Sequence, residues 1–106
     1  MNLPEVIQDL IKAQNNFDSS AFADCFSETA IVFDEGKNYT SKTEIKNWIE
    51  KSSKEYHTAM KPLEFEGDAE KGNLKAEVSG TFPGSPVILT YNLTFKGKHI
   101  ESLKIN

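Results

Sequence analysis

The sequence predicts an α+β fold in one domain, residues 1–106, with three amphipathic helices packed on a strongly curved antiparallel sheet. Three observations carry this. From Asn73 onward the chain alternates apolar and polar residues over two long stretches, the pattern of half-buried antiparallel strands. Ahead of His57, apolar residues recur at the three-and-four spacing of helices lying on a core. A chain of 106 residues buries about two thirds of its unfolded surface, enough for a single core.

Pro4 suits the first turn of a helix, where its missing N–H costs nothing. Leu3, Ile7, Leu10, Ile11 and Gln14 form the buried stripe, widened by Val6, with Glu5, Asp9 and Lys12 on the wet side. Asn15-Asn16 ends this helix, and Asp18 caps a second, short one that buries Phe22, Cys25 and Phe26. Ser27-Glu28-Thr29 reads as a connector and Ala30–Phe33 as a short strand. Asp34-Glu35-Gly36 is a polar strand exit with a turn glycine.

Ser41 and Glu44 have the spacing of a capping box, each side chain serving the other's backbone N–H. The helix they open carries Ile45, Trp48 and Ile49 on one face and Lys46, Glu50, Lys51 and Lys54 on the other; it is expected to fray at Ser52-Ser53. His57–Glu66 is extended, with Ala59, Leu63 and Phe65 on one face and Thr58, Met60 and Glu64 on the other. Pro62 cannot donate to a ladder and marks an edge or a bulge. After a polar hairpin loop at 67–72, Leu74, Ala76, Val78 and Phe82 point inward from one strand. Beyond Pro83-Gly84-Ser85-Pro86, Val87, Leu89, Tyr91, Leu93 and Phe95 point inward from the next. Lys96-Gly97-Lys98 turns the chain into a last strand, where the uneven spacing of Ile100, Leu103 and Ile105 indicates a bulge.

Composition is that of an ordinary globular protein, 38% hydrophobic and 26% charged. A net charge of −4, with lysine as the only basic residue besides histidine, argues against a nucleic-acid partner. No stretch approaches the ~20 apolar residues that span a membrane, and the N-terminus shows no basic region followed by an apolar run. The lone cysteine, Cys25, excludes an internal disulfide and fits a reducing, cytoplasmic setting as an inert buried thiol. No metal-ligand spacing, phosphate loop or cofactor motif is present, so no metal and no cofactor is expected.

Helices on the concave side of such a sheet make a cone, and an apolar cavity inside it is the place to look for a small-molecule ligand. Here the residues resemble a family. Segments Phe26–Gly36, Tyr39–Trp48, Val78–Val87 and Gly97–Ile105 are similar to the nuclear transport factor 2-like (NTF2-like) superfamily, of cystatin-like fold, and within it to the SnoaL-like branch, distantly related to ketosteroid isomerase. One departure is Ser41, where the entry to the third helix often carries glycine.

The resemblance implies a protomer that pairs through the outer sheet face, here Thr58, Met60, Ile88, Thr90, Asn92 and Thr94, a weakly charged surface suited to a homodimer. It also implies Asp34 at the position of a catalytic base and Tyr91 at that of one hydrogen-bond donor to an enolate. The second donor, a tyrosine, falls near Leu10 and is missing; loss of one such donor costs on the order of a hundredfold or more in rate. SnoaL-type polyketide cyclases likewise move a proton with an acidic residue. The candidate ligand-binding residues are Phe17, Phe33, Trp48, His57, Leu89 and His99, each with an ordinary alternative: Trp48 as the seal of one core edge, both histidines as surface residues. Two functions stay open: a module that binds an apolar small molecule, and an isomerase or cyclase using Asp34 and Tyr91.

Overall fold

The computed structural model describes residues 2–106 and opens with two helices, α1 (Glu5–Asn15) and α2 (Ser19–Asp24). α1 buries Ile7, Leu10, Ala13 and Gln14 along one stripe, as the spacing predicts. Phe17, in the left-handed region at φ 55°, turns the chain, and the Asp18 carboxylate accepts the Ala21 N–H at 3.0 Å to cap α2. Then follow β1 (Phe26–Asp34), β2 (Lys37–Thr40), α3 (Ser41–Tyr56), β3 (Ala59–Gly67), β4 (Lys71–Ser79), β5 (Val87–Lys96) and β6 (His99–Ile105).

The six strands form one sheet in the order β2-β1-β6-β5-β4-β3. It is antiparallel throughout except where β1 runs parallel to β6. Phe22, Phe26, Ile7, Leu10, Ile45, Leu74, Ile100 and Leu103 are fully enclosed between its concave side and the helices. The bulge inferred for the last strand lies where the β5–β6 register steps from Thr94–Ser102 to Phe95–Ile100, leaving Glu101 unpaired.

Several local expectations are corrected. Ser27-Glu28-Thr29 is strand, not connector: Ser27 and Thr29 donate hydrogen bonds of 2.6 and 2.7 Å to the Glu101 carboxylate, so their polarity reflects a neighbour across the ladder. β2 was not foreseen. Glu35 and Gly36, at φ 52° and 76°, form a two-residue turn that folds Lys37–Thr40 back along β1. The capping box is shifted by one residue: Glu44 accepts the Thr40 N–H at 2.9 Å, while the Ser41 hydroxyl accepts the Glu44 N–H at 3.4 Å.

α3 does not fray at Ser52-Ser53. Ser53 continues the buried row Ile45–Ile49, and the helix runs to Tyr56, where His57 closes it in the left-handed conformation at φ 50°. Phe82 sits beyond β4, in the turn, with its ring edge-on to Tyr56 at 6.1 Å.

In β3 the register slips between Pro62 and Glu64, and that bulge reverses the alternation. Before it, Met60 faces inward opposite Val78; after it, Phe65 faces inward opposite Leu74. Met60 and Thr58 are therefore buried, 3% and 6% exposed, and do not belong to the outer face assigned to them. Asn15 ties α1 to the free edge of β3, donating to the Met60 carbonyl at 3.0 Å and accepting its N–H at 2.7 Å.

Candidate active site

Asp34 ends β1 on the same inward parity as Ala30 and Val32, which are fully buried. It stands one residue beyond the Phe33–Lys104 pair, hence beside Ile105, and Ile105 pairs with Tyr91 of β5. Asp34, Ile105 and Tyr91 thus form one row across three strands, with the α-carbons of Asp34 and Tyr91 about 10 Å apart. Both side chains stand on the inward parity of their strands.

Burial holds the Asp34 carboxyl above its ordinary value, and the adjacent Glu35 charge pushes the same way. Two donors partly oppose this, the Glu35 backbone N–H and the indole N–H of Trp48. Tyr91 is 4% exposed, and its phenol is raised by that burial and further by the Asp34 charge. The phenol oxygen makes no hydrogen bond to the described residues, yet no enclosed side-chain oxygen or nitrogen among them lacks a partner. That oxygen therefore opens on space a water-sized group can enter.

The candidate ligand residues divide into three sets. Trp48, half-buried, stacks on Tyr39 with centroids 5.5 Å apart and meets Phe22 at 6.1 Å, beside Asp34. Leu89 lies inward on β5, two residues from Tyr91. Phe17 and His57 pack edge-to-face at 6.2 Å on the rim where α3 ends and β3 begins. These four share one end of the cone with Asp34 and Tyr91.

Phe33 and His99 do not. Phe33 has the opposite parity from Asp34 and sits on the outer face, with the Lys104 ammonium 5.6 Å from its ring centre. His99 begins β6, six residues and about 20 Å along the strand from Ile105. It lines a different feature, an open groove of about 1070 Å³ walled by α1, α2 and the β3–β4 and β5–β6 turns. Cys25 borders that groove too; burial and the charges of Asp9 and Asp24 push its thiol up to about 11, which leaves it inert at neutral pH. No cluster of three or more metal-ligating side chains occurs among the described residues.

Sequence reasoning missed Tyr39. The Glu35-Gly36 turn was the available signal: a two-residue turn sets Tyr39 opposite Val32, on the inward side, where it supports Trp48.

A crystal structure of a candidate polyketide cyclase from Sinorhizobium meliloti is 36% identical in sequence and superposes with a TM-score of 0.93, matching 98% of this chain and 95% of that one. The chain belongs to the SnoaL-like branch of the NTF2-like superfamily. Two more distant structures share the fold of this SnoaL-like protein. One, from Catenulispora acidiphila, has a ketosteroid isomerase-like fold and was solved in complex with trimethylamine; it is 16% identical, with 99% and 86% of the two chains covered and a TM-score of 0.89. The other, an NTF2-like protein of unknown function from Cytophaga hutchinsonii, is 13% identical, with 96% and 86% covered and a TM-score of 0.81. No family model and no curated protein matches the SnoaL-like chain.

Proposed function

We propose that this SnoaL-like domain binds a neutral, largely apolar carbonyl compound at the Asp34–Tyr91 end of the cone and moves a proton on it. The observation that carries the reading is the shared inward row: a half-buried carboxylate with raised proton affinity, and a buried phenol whose hydroxyl makes no hydrogen bond to the described residues. Asp34, as carboxylate, takes a proton from the carbon next to the carbonyl. The C–H electron pair moves into the carbonyl and leaves charge on oxygen, where the Tyr91 hydroxyl donates a hydrogen bond. The proton then returns to a different carbon, an isomerisation, or the enolate attacks a second carbonyl of the same molecule and the proton ends on the new alkoxide, a cyclisation. A carboxyl shifted up toward the working pH is a stronger base than an ordinary aspartate. The acidic groups at this rim, Asp34 and Glu35, disfavour an anionic substrate. The 36% identical relative bears the name of a candidate polyketide cyclase, which supports the cyclisation branch.

Leu10 favours a second reading, binding without turnover. It is fully buried in the core, and no side chain on α1 supplies a second donor at that position. The two readings part on one experiment: wild type and Asp34→Asn assayed on a panel of enolisable ketones and poly-β-keto esters, with ligand binding followed by NMR. Turnover that disappears in the variant supports proton transfer; shifts on binding with no turnover in either protein support the binding module.

The same proposal includes pairing of two copies through the outer sheet face, where Ile31, Phe33 and Ile88 are exposed beside the uncharged Thr90 and Asn92. A cytoplasmic setting is supported by the single buried thiol of Cys25. Among the described residues no helix is long and apolar enough to cross a membrane.

A further inference from the structure

The groove of about 1070 Å³ that His99 lines opens at the other end of the cone from Asp34 and Tyr91, and it is large enough for a small organic ligand. Its floor is apolar. Leu3 ahead of α1, Val6 on α1, Ala21 on α2, Phe65 on β3 and Phe95 on β5 all line it, each half-buried with its inner side packed on the core. Five separate segments thus leave apolar surface open in one place, unlike the single exposed residues that any surface carries. The Phe65 ring lies across Gly72, where a β-carbon would stand 2.6 Å from it, so only a glycine leaves this aromatic wall room.

The walls are acidic. Five carboxylates border the groove, Glu5, Asp9, Asp18, Asp24 and Asp68, against two lysines, Lys12 and Lys98. Asp18 and Asp68 accept backbone N–H groups of their own turns. Glu5, Asp9 and Asp24 make no ion pair with the described residues. Asp9 has Val6 three residues before it and Ala13 four after, all on the groove side of α1, and Asp24 ends α2 beside Cys25. The two carboxylates come from different helices, yet both charges are felt at the Cys25 thiol. An anion is poorly matched here, since even the amino end of α1 carries Glu5 in its first turn.

We propose that this groove is a second ligand site and takes an amphipathic organic cation, its ammonium group beside Asp9 and Asp24 and its apolar body along Val6, Phe65 and Phe95. An alkylammonium stays charged at neutral pH. The groove is open to water, so each charge contact has the modest size of a screened pair. The apolar body supplies most of the affinity, and the carboxylates choose the sign of the head group. Nothing in this site depends on proton transfer at Asp34.

Three probes of one skeleton test it: phenylbutylamine, phenylbutanol and phenylbutyrate, titrated into the isotope-labelled protein and followed by NMR. The amide signals of Val6, Asp9, Cys25 and Phe95 are expected to shift, while those of Asp34, Tyr91 and the Trp48 indole stay in place. The amine is expected to bind roughly tenfold tighter than the alcohol, with the carboxylate weakest and the preference fading in high salt. Asp9→Asn combined with Asp24→Asn alters two exposed side chains and is expected to abolish that preference while the alcohol binds as before. Equal binding of the three probes, or a preference that survives the double substitution, overturns the proposal. Shifts confined to the Asp34 end, or none at millimolar amine, do the same. A lysine-rich peptide that moves the groove signals where the amine does not overturns it in favour of a protein partner. Turnover of carbonyl compounds is decided by the Asp34→Asn assay alone, so either reading can fall without the other.

Discussion

Asp34 and Tyr91 stand on the same cross-strand row, one on each side of Ile105, and the charge of the first raises the proton affinity of the second. Neither strand neighbours the other; the last strand of the chain brings them into line. Asp34→Asn keeps the shape of the side chain and removes its basicity. Turnover is expected to fall by about 10²–10⁴-fold, the usual contribution of a positioned general base, with the circular dichroism spectrum unchanged. Retention of full activity would reject Asp34 as the base.

Tyr91→Phe separates catalysis from stability. The hydroxyl makes no hydrogen bond to the described residues, so the thermal midpoint is expected to stay within a degree or two, while kcat drops on the order of a hundredfold through loss of the oxyanion donor. A large fall in melting temperature with activity otherwise intact would show that the phenol is structural.

The raised proton affinity of Asp34 has a consequence for stability against pH, with a sign opposite to that of most carboxylates. Folding favours its protonated form. The associated stability is fully present below the unfolded aspartate value of about 3.9 and is lost as pH rises through the higher folded value. Asp34→Asn removes a penalty that the native protein carries at pH 7. The variant is expected to melt higher than wild type at pH 7, with the difference shrinking toward pH 3, as followed by scanning calorimetry. Asp68 and Glu101 run the other way. Backbone N–H groups of Glu70 and Lys71 hold the first below the usual range, and the Ser27 and Thr29 hydroxyls hold the second there. Their contributions exist above the unfolded values and vanish as pH falls through the folded ones.

Asn15→Ala tests the tie between α1 and the sheet. It deletes both hydrogen bonds to Met60 and leaves an edge N–H and carbonyl to water. A loss of about 1–3 kcal/mol in urea unfolding is expected, with little effect on the slope.

The outer face gives a prediction on assembly. Ile88 is 63% exposed, and Ile88→Lys places a charge at the centre of the surface proposed to pair. Sedimentation is expected to show a dimer for wild type and a monomer for the variant; a wild-type monomer at high micromolar concentration would dismiss the pairing.

The architecture was legible because most of its strands carry a plain period of two. Val87 to Phe95 reads inward at every second residue, and Leu74, Ala76 and Val78 do the same. What escaped did so for local physical reasons. An extra residue near Leu63 reversed the parity of β3, so Met60 was assigned to the wrong face; alternation in sequence cannot reveal where a ladder slips. Ser27 and Thr29 passed for a connector because their partner, Glu101, lies at the far end of the chain. In the site, resemblance pointed to Asp34 and Tyr91, which the fold sets on one row, whereas Phe33 and His99 lie away from that row. The first turns on one step of parity and the second on which end of a strand faces the cone.

The position of β6 also governs how this sheet can be made. Residues 99–105 insert between β1 and β5, so β1 has no partner on its inner edge until synthesis has passed these residues. The β3–β4–β5 meander can assemble as it is synthesised, since its pairings are local. Completion of the fold waits for a strand to slot between two finished halves, each holding an open edge toward the other. A nascent chain arrested before residue 99 would display both edges at once, a ready template for intermolecular pairing.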